Sequence, residues 1–113
     1  MMHKRTKACA IPPKVREEVE TRDGRVCLFC GKPGRGEAHV VSRAHGGLGV
    51  PENIITVCRD CHDRMDQSQA RGMYLQIAKD YLKRHYPGWS EDKVTYNKWK
   101  GLEDGKENTI ESN

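Results

Sequence analysis

The chain is poor in the side chains that usually fill a core. Of its 113 residues, 35% are hydrophobic and 6% aromatic, with a single Phe. So small a domain buries little apolar surface, and a staple other than packing is expected. There is no run of about 18 apolar residues, which excludes a membrane-spanning helix. No apolar stretch follows Met1, where the chain reads His3-Lys4-Arg5-Thr6-Lys7. A secretory leader is therefore not expected, and the expected location is the reducing cytoplasm. Internal repeats are absent too, so the length points to one domain with a tail.

Charge, by contrast, is plentiful and uneven. Residues 1–100 hold 19 basic and 12 acidic side chains, a balance of +7. Residues 101–113 hold Lys106 against Glu103, Asp104, Glu107 and Glu111, a balance of −3. The body of the protein is thus more basic than its formal +4 suggests, which suits a polyanionic partner such as DNA.

Composition divides the chain into a flexible basic arm over 1–12, a main unit over 13–67, a helical extension over 68–100 and a disordered acidic tail over 101–113. Pro12-Pro13 opens a short helix from Lys14 to Thr21 with Val15 and Val19 facing inward, and Asp23-Gly24 closes it. Glu37 to Ser42 is a strand candidate, and Ile54-Ile55-Thr56-Val57 is the clearest β run. Helices are expected over His62–Gln67 and Ser68–His85, the second with Met73, Ile77, Tyr81 and Leu82 inward. A last helix is expected from an Ser90 cap to Lys100, with Trp89 and Val94 stapling it.

The five cysteines supply the missing staple. Cys27/Cys30 and Cys58/Cys61 are two Cys-x-x-Cys pairs, while Cys9 stands apart as an incidental thiol in the arm. In a reducing compartment two such pairs favour a metal over a disulfide, and one redox pair would leave the other unexplained. Each turn presents two thiolates to one point, so the four form a closed, structural zinc site. Gly31 follows Cys30 where the turn calls for positive φ. The long gap between Cys30 and Cys58 must hold structure of its own.

That gap and its flank read Glu37-Ala38-His39-Val40-Val41-Ser42-Arg43-Ala44-His45-Gly46-Gly47, then Pro51-Glu52-Asn53, then Cys58-Arg59-Asp60-Cys61-His62. His39, Asn53 and His62 follow the order and approximate spacing of the HNH motif. Over residues 26–67 the chain resembles the HNH endonucleases, specifically the four-cysteine group common in phage and prophage genomes. The match of residues 68–100 to a helical extension found with some of these proteins is looser.

The resemblance implies an α+β fold: a small zinc-stapled ββα-metal (His-Me finger) core with flanking helices. It implies a metal-dependent DNA endonuclease with His39 as general base. Asn53 would orient that base or reach the metal. His62 would hold a divalent catalytic ion: magnesium, manganese, nickel or zinc. Asp66, four residues on, projects from the same helical face and is a second candidate ligand. Most relatives carry Asp or His just before the base; here Ala38 cannot bind metal, and Glu37, on the His39 side of the strand, is the candidate substitute. Arg43, Arg59 and Arg64 flank these positions as candidate phosphate contacts. His45 is read as an ordinary loop residue, and Lys79, Lys83 and Arg84 as a basic face that could track a DNA backbone or simply meet water. The alternative, which Ala38 favours, is a zinc-stabilised nucleic-acid-binding module without catalysis.

Overall fold

Ile54–Val57 is β-branched throughout and buried at every position, and it forms strand β2 at the centre of the molecule. Its antiparallel partner β1 is Arg35–His39, with Arg35 opposite Val57 and His39 opposite Ile54. The ladder slips between Gly36 and Ala38, so Glu37 is an extra residue bulged from the pair. Helix α3, Arg59–Gln67, follows β2 almost directly and completes a ββα unit. Helix α1 spans Lys4–Cys9, α2 Pro13–Arg22 and α4 Arg71–His85. Short 3₁₀ turns lie at Arg43–His45, Pro51–Asn53 and Asp92–Val94. The computed structural model describes residues 4–67 and 69–96.

The core is small. Ala38, Val40, Ile55 and Val57 of the hairpin meet Cys61 and Met65 of α3 and Ala78 and Leu82 of α4. Helix α2 packs on the hairpin through Val19, which is fully buried. Pro13 starts this helix, where its missing N–H costs nothing, and positive φ at Gly24 and Arg25 ends it.

A polar knot ties α2 to the rest. The Arg22 guanidinium donates to the carbonyls of Pro51 and Ile54 (both 2.8 Å) and to the Tyr86 hydroxyl (3.1 Å). Asp23 pairs with Arg22 at 2.6 Å and accepts from the Thr56 backbone N–H (2.9 Å) and the Tyr81 hydroxyl (2.5 Å). Burial works against the Asp23 charge, yet Arg22, Tyr81 and Thr56 together hold its carboxyl below the usual aspartate range.

Several sequence expectations shift. The strand expected over Glu37–Ser42 lies earlier because β2 offers only four residues to pair with, and beyond His39 the backbone of Val41 bonds instead to the Asn53 side chain. The inner face of α4 is Ala78 and Leu82, with Tyr74, Leu75 and Tyr81 half-buried. Met73 and Ile77 are 59% and 42% exposed. The small Ala78 takes a place on the buried face, in the same cluster as the hairpin and α3 residues. The basic arm is a helix over Lys4–Cys9, and Cys9 is buried. In place of a helix from Ser90 there is a 3₁₀ turn at Asp92–Val94, after which Thr95 bridges to Gly47. The expected helix end at 97–100 and the tail 101–113 lie outside the described residues.

Candidate active site and metal centre

Two turns bring the four cysteines together. Positive φ at Gly31 (79°) lets the first turn close, and the Gly31 N–H returns to the Cys27 carbonyl at 2.9 Å. The second turn is the start of α3, where the Cys61 N–H faces the Cys58 sulfur at 3.5 Å. All four ligand atoms lie within 4.8 Å of one another, and Cys30 and Cys58 sulfurs are 3.5 Å apart. Tetrahedral coordination with bonds near 2.3 Å puts sulfurs about 3.8 Å apart, so the cluster fits a structural metal such as zinc. The electrostatics agree. Against its burial, backbone N–H groups of Cys58, Cys30 and Phe29 bring the Cys27 thiol down to about 7. Burial and the neighbouring thiols push Cys61 up. A divalent cation relieves that conflict by stabilising every thiolate at once.

His62, next to Cys61 in the chain, lines an open cleft of about 610 Å³. Glu37 and His39 reach it from β1, His62, Met65 and Asp66 from α3, and Arg16 from α2. Ser42 and Arg43 line it from the loop after β1, and Ala10 and Ile11 from the link after α1. The two imidazoles thus share one wall-to-wall space, as the sequence pattern requires.

Each side chain in it has a definite setting. One nitrogen of His39, Nε2, lies 2.8 Å from the Cys9 carbonyl oxygen. A carbonyl only accepts, so this nitrogen carries the proton and Nδ1 holds the lone pair of the neutral ring. Burial lowers the His39 pKa below the ordinary histidine value, opposed by that bond and aided by the charges of Arg43 and His62. His62 Nδ1 is 3.5 Å from Asp66 Oδ2, the i,i+4 pair that helical spacing requires. Glu37 sits between two guanidiniums, 3.4 Å from Arg16 and 3.6 Å from Arg35. Ala38 is buried in the core, so a longer side chain there would meet packed apolar groups.

Asn53 is absent from the cleft lining. It is fully buried, and its side chain is committed to backbone: Oδ1 accepts from Val41 N–H (2.8 Å), and Nδ2 donates to the carbonyls of Val41 (3.0 Å) and Leu48 (2.9 Å). It therefore clamps the loop that leaves His39 against the turn that enters β2. Gly47 is required at this closure, since a Cβ there would overlap the Val41 carbonyl and crowd the Asn53 amide.

The candidate arginines separate. Arg43 lines the cleft. Arg59 lines a smaller depression beside it with His62 and pairs with Asp63 at 3.9 Å. Arg64 is turned toward α4, where it bonds the Tyr74 side chain. On α4 itself, Lys79 is engaged by Glu91 at 2.8 Å. Arg16 was not marked by any sequence signal, yet it is in the cleft with its Nε–H buried and without a partner. The Cys9 carbonyl was missed for the same reason: neither belongs to a spaced motif, and only the folded chain brings them to His39.

Comparison with known families places residues 27–67 on the family model described as HNH endonuclease. No curated protein and no solved structure matches the chain.

Proposed function

Residues 27–67 match the family model described as HNH endonuclease, and from that match we propose that the protein is a metal-dependent endonuclease that hydrolyses phosphodiester bonds in DNA. The observation that carries this reading is the shared cleft: His39 and His62 line one space, with the clasp of cysteines outside it. The net positive charge of residues 1–100 supports a polyanionic substrate.

His39 is the general base. The neutral ring takes a proton from water at Nδ1 as the water oxygen attacks phosphorus and the bond to the leaving sugar oxygen breaks. Its lowered pKa keeps the ring neutral near pH 7. His62 and Asp66, an adjacent nitrogen and oxygen donor on one helical face, would hold a divalent ion. Such an ion supplies polarisation of the phosphate and compensation of charge on the leaving oxygen. Glu37 faces the same space, but its pairing with Arg16 and Arg35 makes it the organiser of those arginines more readily than a ligand. Arg16 and Arg43 contact phosphate oxygens from two walls, with Arg59 at the rim. Asn53 acts at a distance, by fixing the loop after His39. The clasp holds zinc and serves the fold.

A non-catalytic DNA-binding module is the second reading. It is favoured by one observation: among the described residues, only the cysteines form a group of three or more metal donors. Plasmid nicking in magnesium, manganese or nickel, beside a His39→Ala control, separates the two. We expect nicking by the natural protein and a loss of roughly 10²–10⁴ in the variant. DNA binding without nicking in any metal supports the module, and equal nicking by both proteins removes His39 as base.

A further inference from the structure

The N-terminal helix lies outside the family segment, yet it is fastened to the cleft at three points. At its start, Arg5 donates to the carbonyls of Arg43 (3.2 Å) and Ala44 (2.6 Å), on the loop that lines the cleft. Near its end, the Gly49 N–H donates to the Ala8 carbonyl at 3.0 Å. A Cβ at Gly49 would overlap the Ala10 carbonyl, so glycine is needed for this approach. At its end, the Cys9 carbonyl accepts from His39 Nε2. Cys9 is buried, and Ala10 and Ile11 continue as cleft wall.

We propose that residues 4–11 form a strap that completes the active centre, with the main-chain carbonyl of Cys9 as the positioning group that holds His39 in its Nε2–H tautomer. This rests on the reading of His39 as base. A free imidazole exchanges between two neutral tautomers and rotates about its χ angles. The carbonyl selects the form whose Nδ1 can take a proton, and fixes the ring plane. The acceptor is main chain, so the role belongs to the seating of the strap, not to the Cys9 thiol. Gly49 and Arg5 are then positioning residues that act through it, remote from the reacting atoms.

The test is carried out on full-length, zinc-loaded protein. Long-range ¹⁵N–¹H correlation spectra report the tautomer of His39, and steady-state cleavage reports kcat and KM. The natural protein should show the Nε2–H form. Gly49→Ala should dislodge the strap, give a mixture of tautomers and lower kcat by about a hundredfold with KM little changed. Arg5→Ala, at an exposed position, should do the same more weakly, and it keeps the test valid should Gly49→Ala not fold. An Nδ1–H form in the natural protein overturns the proposal. So does a natural tautomer and kcat in both folded strap variants. If the variants shift the tautomer while even the natural protein cuts no DNA, the strap stands and the nuclease reading falls.

Discussion

The cysteine clasp and the histidine cleft are neighbours, with Cys58 and His62 lining one depression, yet they are built by different rules. The clasp comes from two tight turns, each holding its pair three residues apart, and its chemistry is local. The cleft draws on α2, β1, α3, the loop after β1 and the link after α1, and two of these, α2 and the link, lie outside the segment that matches the family model. The clasp is thus an all-or-none element of the fold. The cleft is an assembly whose parts can be weakened one at a time. A perturbation of the clasp should appear as unfolding, and a perturbation of the cleft as lost chemistry in an intact molecule.

The largest effect is expected at the clasp. Structural zinc in small domains contributes about 10–16 kcal/mol apparent, comparable to or above the whole stability of about 5–15 kcal/mol typical of a domain. Cys61→Ser, at a buried ligand position, should therefore abolish zinc retention and the cooperative urea transition together. A folded, cooperative Cys61→Ser protein would show that packing alone carries the fold.

His39→Ala is the next largest and the complementary case. The roughly 10²–10⁴ loss in nicking should come with unchanged zinc content and a urea midpoint close to the natural one. A collapse of stability instead would erase the distinction between the two regions.

A third perturbation belongs to neither region. Breaking the buried Arg22–Asp23 pair with Asp23→Ala should cost about 3–5 kcal/mol, because it strands a buried guanidinium. The pH dependence has a definite sign. The folded Asp23 carboxyl is held below its unfolded value. Its contribution is therefore present above the ordinary carboxylate range near pH 4 and is lost as pH falls through the depressed folded value. Urea midpoints measured from pH 7 to pH 2 should show an acid limb that Asp23→Asn flattens.

The smallest effect is expected at the rim. Arg59 is exposed and its contact with Asp63 is long, so Arg59→Ala should change stability by less than about 0.5 kcal/mol. Its loss should reduce the salt slope of DNA binding by about 1. A stability loss beyond that range in thermal melts would mean Arg59 has a packing role.

This contrast also explains what the sequence made legible. Local chemistry was readable: the two cysteine pairs, the β-branched run at Ile54–Val57, the positive φ of Gly31, and the i,i+4 placement of His62 and Asp66. The order of His39, Asn53 and His62 was enough to suggest a family, and His39 and His62 do meet in one cleft. Phase and partnership were not readable. Met73 and Ile77 look like core until Ala78 and Leu82 are seen to set the face of α4. Arg64 looks equivalent to Arg43 until α4 supplies Tyr74 as its partner. Arg16 and the Cys9 carbonyl carry no motif, since a guanidinium on one helix and a peptide oxygen at the end of another acquire meaning only through contacts 21 to 30 residues away in sequence. Asn53 shows the reverse: turn chemistry and the family motif both marked it, and the fold spends its side-chain hydrogen bonds on backbone.

The separation of clasp from cleft is tested most directly by manganese binding to zinc-loaded protein, followed by electron paramagnetic resonance, for the natural chain and for His62→Ala. One exchangeable manganese per chain, removed by dialysis while zinc stays, and lost in His62→Ala with zinc retained, is the expected result. Manganese binding that is indifferent to His62, or that displaces the zinc, would contradict a second ion site in the cleft.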